Sequence, residues 1–109
     1  MSETKCIVTI VERGKANKII DAAKSAGASG ATIFYGRGTG DTELKKFLKV
    51  NIESSKEVII IISEKEEAEP IIRAMVKAGN LFKPGKGILF TLPISNLMGL
   101  THREEFEIE

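Results

Sequence analysis

Two short glycine segments carry the residue types that bind anions. Glycines allow backbone N–H groups to approach a ligand closely, and successive N–H groups form concavities for anions. Arginine and lysine in the same segments supply the positive charge that a phosphate requires. Neither segment has the spacing of a phosphate-binding loop or a dinucleotide fingerprint, so they indicate a phosphorylated ligand without identifying it. The segments are Arg37-Gly38-Thr39-Gly40 and Lys83-Pro84-Gly85-Lys86-Gly87.

Residues for covalent or metal chemistry are few. The single cysteine, Cys6, lies in an apolar segment, and the single histidine, His102, lies in a polar tail. A serine nucleophile needs a base beside it, and a metal centre needs several His, Cys or carboxylate ligands. We therefore predict no catalytic residue, no metal site and no enzymatic activity.

Length and charge restrict the class of protein. The chain has 109 residues, which fits a single domain over residues 1–109, and its net charge is +1. This charge balance argues against nucleic acid as the main partner. The longest apolar run, residues 58–62, is far shorter than a membrane span, and residues 1–5 lack the apolar stretch of a signal peptide. We expect a cytoplasmic protein.

Hydrophobic patterning predicts six elements. Segments rich in β-branched residues predict strands over residues 6–11, 31–35, 58–62 and 88–92. Apolar residues at helical spacing predict one helix that ends near Gly27 and another that ends at Gly79. Ser63 and Glu66 have capping-box spacing at the start of the second helix, but Pro70 allows a start nearer to itself.

The order of these elements predicts an α+β fold, a ferredoxin-like βαββαβ sandwich with a long loop between the second and third strands. Both helices would cover one face of the sheet and leave the other open. The third strand, residues 58–62, is apolar on both faces. We favour self-association through the open face, and the alternative is that the long loop or the tail covers it.

Taken together, these features resemble the PII signal-transduction family over about residues 5–101. The resemblance rests on the element order, the long loop, the glycine segment before the last strand, and residues 90–94, Phe-Thr-Leu-Pro-Ile. Residues 37–40 are similar to the opening of the family's T-loop, and residues 85–88 are similar to its B-loop. The resemblance implies a T-loop at about 38–56, a B-loop at about 80–87 and a flexible tail at about 101–109.

The resemblance also implies a function. Family members are homotrimers that hold an effector, here ATP, ADP or AMP, between subunits and control a target, often a membrane transporter or a metabolic enzyme, in nitrogen regulation. No further cofactor is implied. The ligand site would include Ile10, Thr32 and Ile61 near the adenine, Arg37, Gly38, Thr39 and Gly40 at the loop base, and Lys83, Pro84, Gly85, Lys86 and Gly87 at the phosphates. The loop residues expected to contact the target are Asp41, Glu43, Leu44, Phe47 and Val50.

Some positions depart from the family pattern. Lys86 replaces the B-loop aspartate, and Ile88 replaces a phosphate-binding lysine. Gly99 and Thr101 stand where the family has arginines. The ligand therefore carries fewer phosphates than ATP, or Lys83 and Lys86 replace the missing contacts. The alternative reading is a ferredoxin-like sensor of another ligand, either an ACT-like amino-acid binder or a CutA-like metal-responsive trimer.

Overall fold

Four strands and two helices follow one another in the predicted order. A computed structural model describes residues 3–39 and 53–99. Each strand is longer than its apolar segment because backbone pairing continues into the polar residues at both ends. The elements are β1 (Thr4–Glu12), α1 (Ala16–Ser25), β2 (Thr32–Thr39), β3 (Glu53–Glu64), α2 (Lys65–Gly79) and β4 (Ile88–Ile94).

The strands form one antiparallel sheet in the order β2-β3-β1-β4. β1 lies at the centre, where Ile7 pairs with Ile61 of β3 and with Thr91 of β4. β2 and β4 are the two edge strands, and Pro93 is tolerated because it lies on an edge. This arrangement confirms the predicted ferredoxin-like fold.

One face of the sheet packs against both helices. Alternate residues of β1 and β3 point into this interface, where Ile7 and Ile59 have no exposed surface. The helices contribute Ile19, Ile71 and Met75, which are equally buried. The helical spacing therefore predicted the core side of both helices correctly. Neither helix in the described ranges is long and apolar enough to cross a membrane.

The opposite face of the sheet is open and apolar. Val8, Val58 and Ile60 lie in its centre and are only partly buried. Towards the two edges the exposed fractions rise to 47% for Phe34 and 41% for Phe90. The predicted unpartnered face is thus present. The alternative cover, the long loop or the tail, lies outside the described residues.

The start of α2 differs from the sequence expectation. Ser63 belongs to β3, and its hydroxyl donates to the carbonyl of Glu64, so the predicted capping box with Glu66 is wrong. The helix begins at Lys65 and continues through Pro70, at the expense of one backbone hydrogen bond. It ends at Gly79, as predicted, and the C-cap residue that follows, Asn80, is left-handed with φ 57°.

The connection between β2 and β3 is shorter than expected. Gly38 pairs with Ser54 and Thr39 pairs with Glu53, so the hairpin extends into both ends of the range 38–56. Residues 40–52 remain as the connection. Gly40, the loop residues predicted to contact the target and the predicted flexible tail at 101–109 lie outside the described residues.

Glu57 fixes the turn between β1 and α1. This carboxylate is 7% exposed, and its Oε1 accepts hydrogen bonds from the backbone N–H groups of Gly14 at 2.7 Å and Ala16 at 3.0 Å. The amides at a helix start lack partners within the helix. A β3 side chain therefore positions α1 and the turn before it.

We expect Glu57→Ala to lower the free energy of unfolding by about 2–3 kcal/mol, because two amides lose a charged acceptor. Glu57→Gln retains an amide oxygen and should lose less than half as much. Urea denaturation of both variants measures the difference. Equal losses below about 0.5 kcal/mol, the range of surface substitutions, would contradict this role.

Thr9 is an unpartnered polar group in the core. Its side chain has no exposed surface, and its Oγ1 has no hydrogen-bond partner. Thr9→Val has nearly the same shape, and we expect it to raise the free energy of unfolding by about 1–2 kcal/mol. The exposed Thr39→Val serves as the control, with a change within about 0.5 kcal/mol. A loss of stability in Thr9→Val would show that the hydroxyl is satisfied.

Candidate functional site

The two glycine segments lie at the same end of the sheet but on opposite edges. We call this the loop end: β1 and β2 finish there, and β3 and β4 begin there. Residues 37–39 close β2, whereas residues 83–87 lead into β4. Two strands separate these edges, which places the segments about 14 Å apart at a strand spacing of about 4.8 Å. The described segments of one chain therefore do not converge on one phosphate.

The segment before β4 packs tightly against the end of β1. Gly87 has φ +136°, and a Cβ there would lie 2.7 Å from the carbonyl oxygen of Ile10. Gly85 has φ +82° and open space around it, so it needs glycine for its backbone conformation. Lys83, Pro84 and Lys86 are exposed. The loop is fixed at Gly87 and presents its cations to solvent.

The end of β2 is covered by a side chain that the sequence analysis did not single out. A Cβ at Gly38 would lie 3.1 Å from Cε of Lys56, so the lysine stem crosses the glycine backbone. The Lys56 ammonium contacts Glu12 Oε1 at 2.6 Å. The alternation of side chains along a strand could have identified it: Lys56 lies two positions before Val58, so both side chains lie on the open face of β3. A cation therefore lies over the loop base.

The three residues expected near an adenine do not share one surface. Ile10 lies on the open face in the row of Val58, and Thr32 lies on the same face in the row of Ile60. Ile61 points the other way, towards the helices, and is 1% exposed. The structure brings Ile10 and Thr32 to one face and places Ile61 in the core.

Arg37 and Gly38 point to opposite faces of β2, because side chains alternate along a strand. Arg37 follows Tyr35 on the helix side, where both are exposed beyond the helices. Thr39 is also exposed and is the last described residue before the connection. The loop base thus has the Arg37 guanidinium on one side and, on the other, a glycine backbone covered by the Lys56 stem.

Metal chemistry has no support in residues 3–39 and 53–99. They contain no group of three or more His, Cys, Asp or Glu side chains arranged to hold an ion. Cys6 is partly buried on the open face of β1. The chemistry available at the loop end is that of cations, backbone amides and apolar side chains.

Comparison with known proteins assigns the family. The sequence profile described as Nitrogen regulatory protein P-II matches residues 4–104. Among curated proteins, none matches this chain at a significant level.

Solved structures share the fold. GlnK from B. subtilis in complex with ATP is 18% identical, with a TM-score of 0.73 over 95% of this chain and 94% of that chain. PII from Arabidopsis thaliana bound to citrate is 20% identical, with a TM-score of 0.70 over 95% of this chain and 86% of that chain. The family match and the sandwich with its single open face lead to one conclusion: the chain belongs to the nitrogen regulatory protein P-II family, whose members are signal-transduction regulators and not enzymes.

Proposed function

We propose that this chain forms a homotrimer that binds an adenine nucleotide between neighbouring copies and controls a target protein through residues 40–52. The observation that carries the proposal is the separation of the two glycine segments on opposite edges of the sheet. One phosphate group can contact both segments only if they come from two copies of the chain. Family membership and the ATP complex of B. subtilis GlnK support the choice of ligand.

The open face supplies the driving force for assembly. Burying one large apolar side chain stabilises by about 1.5–3 kcal/mol, and this face presents several partly exposed ones. The four exposed most are Phe34, Ile88, Phe90 and Leu92. A face this apolar is typical of an interface and not of a surface in water.

The geometry favours a ring. Contact between the β2 edge of one copy and the loop before β4 of the next is heterologous, because the two surfaces differ. Heterologous contacts close into rings when the rotation permits. A trimer, the family's assembly, gives one such junction between each pair of neighbours and therefore three equivalent ligand sites.

The proposed site combines apolar and cationic groups from two copies. Ile10 and Thr32 on the open face would contact the base. Lys86 and the amides of Gly85 and Gly87 would bind the phosphates, with Arg37 at the neighbouring loop base. Lys56 adds a cation that the family resemblance did not identify, already held by Glu12 at 2.6 Å.

The signal would pass through the hairpin between β2 and β3. Gly38 and Thr39 lie directly before residues 40–52, so a ligand at the loop base contacts the start of this connection. A ligand shifts such a segment only when its affinity differs between two states. The affinity of the target for this chain would therefore depend on which ligand is bound.

Assembly should depend on the open face. We expect Phe90→Glu to shift the protein from trimer to monomer, because a carboxylate would lose its hydration in the interface. Tyr35→Glu is the matched control, since Tyr35 is exposed on the helix side. Light scattering coupled to size exclusion measures the mass. A monomeric wild type, or an unchanged trimer in Phe90→Glu, would contradict the assembly.

Adenine nucleotides should stabilise the wild-type protein. At about a hundred times its Kd, a ligand adds about 2.7 kcal/mol, which thermal denaturation detects. ATP, ADP and AMP are compared with citrate, amino acids and divalent metals. A response restricted to amino acids or metals would contradict the nucleotide proposal and favour the ACT-like or CutA-like alternative.

Phosphate contacts should be charge-dependent. We expect Lys86→Ala to weaken ADP binding about tenfold, because one charge-assisted contact is lost. Lys65→Ala is the control: Lys65 lies at the other end of β3 and pairs on the surface with Glu3 at 3.1 Å. Isothermal titration calorimetry gives both affinities. Equal effects of the two variants would show that Lys86 does not contact phosphate.

A further inference from the structure

The charged side chains are segregated between the two ends of the sheet. The exposed charged residues at the far end, where β3 meets α2, are mainly acidic: Glu3, Lys65, Glu66, Glu67 and Glu69. The exposed charged residues that the structure describes at the loop end are cationic: Arg13, Lys15, Lys18, Arg37, Lys77, Lys83 and Lys86. Within the residues that the structure describes, the two ends of the sheet therefore differ in charge, although the net charge of the whole chain is +1.

The two carboxylates that the structure describes at the loop end both have partners. Glu12 pairs with Lys56 at 2.6 Å. Glu57 is buried and accepts two backbone hydrogen bonds from the β1–α1 turn. Among the described residues, Lys15, Lys18 and Lys83 form no ion pair, so their charge is available to a partner.

The B-loop and the β1–α1 turn form one continuous surface. A cleft of about 190 Å³ lies between them. It is lined by Lys15 and Lys18 from the turn and α1, by Gly85 and Lys86 from the B-loop, and by Glu12, Gly79 and Asn80. Gly87 fixes the loop against β1 through its close approach to Ile10. The cations of both segments are therefore held on one framework.

An exposed aromatic side chain accompanies these lysines. Phe82 is 71% exposed and directly precedes Lys83. Aromatic residues are enriched where proteins bind proteins, whereas lysine is depleted there. Phe82 therefore supplies the apolar contact of this surface, and the lysines supply its charge.

We propose that this cationic surface, defined as Lys15, Lys18, Phe82 and Lys83, docks an acidic patch on a partner protein. The surface belongs to the described part of the domain and does not include residues 40–52. The inference rests on the proposed function, because rotation about the axis of a cyclic trimer would present three such surfaces in the same direction. Three weak contacts would then act together.

Nucleic acid is a poorer match for this surface. Domains that bind nucleic acid are usually basic overall, whereas this chain has a net charge of +1 and an acidic far end. An extended polyanion would reach the acidic far end and be repelled by it. An acidic patch confined to one protein surface would contact the cationic surface without reaching the far end. Polarised charge of this kind orients an approaching partner.

The test is the binding of a fluorescein-labelled peptide of repeating Glu-Glu-Leu units to the full chain, by anisotropy at low salt. We expect Lys15→Glu with Lys18→Glu to weaken binding at least about tenfold. Lys5→Glu with Lys24→Glu makes the same change in net charge away from this surface and should cost less than about twofold. Equal losses in both double variants would overturn the proposal.

A second comparison tests the apolar contact and the class of partner. Phe82→Ala should weaken binding of the Glu-Glu-Leu peptide but not of a Glu-Glu-Gly peptide. A loss that is the same for both peptides would contradict the role of Phe82. Tighter binding of a single-stranded oligonucleotide or of anionic lipid vesicles than of the acidic peptide would overturn the choice of a protein partner.

The nucleotide response separates this inference from the proposed function. Lys15 and Lys18 are not part of the proposed ligand site, so their double variant should remain trimeric and keep its thermal stabilisation by ADP. Loss of peptide binding with the ADP response intact supports the docking surface. Peptide binding without any ADP response in the wild type contradicts only the nucleotide proposal.

Discussion

The structure depends on a sheet that is apolar on both faces but covered by helices on only one. Ile7, Ile59 and Ile61 complete a core with α1 and α2, and they are 0%, 0% and 1% exposed. On the reverse side, Val8, Val58 and Ile60 remain only partly buried. Because no helix covers these side chains, we propose that copies of the chain associate through this face. The proposed ligand site lies between the associated copies.

Sequence patterns predicted the elements that a hydrophobic period defines. The helical spacing identified Ile19, Ile20 and Ala23 as core residues, and they are buried. The run at 58–62 correctly indicated two apolar faces, because a strand with one solvated face alternates. The order of the elements then left few topologies, and the ferredoxin-like one is observed.

Local spacing failed where a distant contact decides the structure. Ser63 and Glu66 match a capping box, but pairing of β3 with β1 extends the strand through Ser63 and Glu64. The T-loop was expected from about residue 38, yet hairpin pairing continues through Thr39. Lys56 and Glu57 carry no motif; their roles come from Glu12 and from the amides of Gly14 and Ala16, which are more than forty positions away in the chain.

The candidate site was predictable by residue type and not by location. Glycine and cation together indicated anion binding at residues 37–40 and 83–87, but only the strand order shows that these segments lie on opposite edges. The fold also places the described exposed cations at the loop end and mainly carboxylates at the far end, which the net charge of +1 does not reveal. We propose that the chain binds its effector at the junctions between copies and its target at the loop end.

Complementation between two defective variants tests most directly whether two copies share each ligand site. Arg37→Glu damages the loop base at the β2 edge, and Lys86→Glu damages the loop before β4; each alone should lose ADP binding. Random co-assembly of equal amounts should restore about one quarter of the sites, those that receive an intact edge from each variant. Calorimetry that finds this recovery would confirm a shared site. No recovery in verified mixed trimers would show that one chain forms the site by itself and would contradict the account.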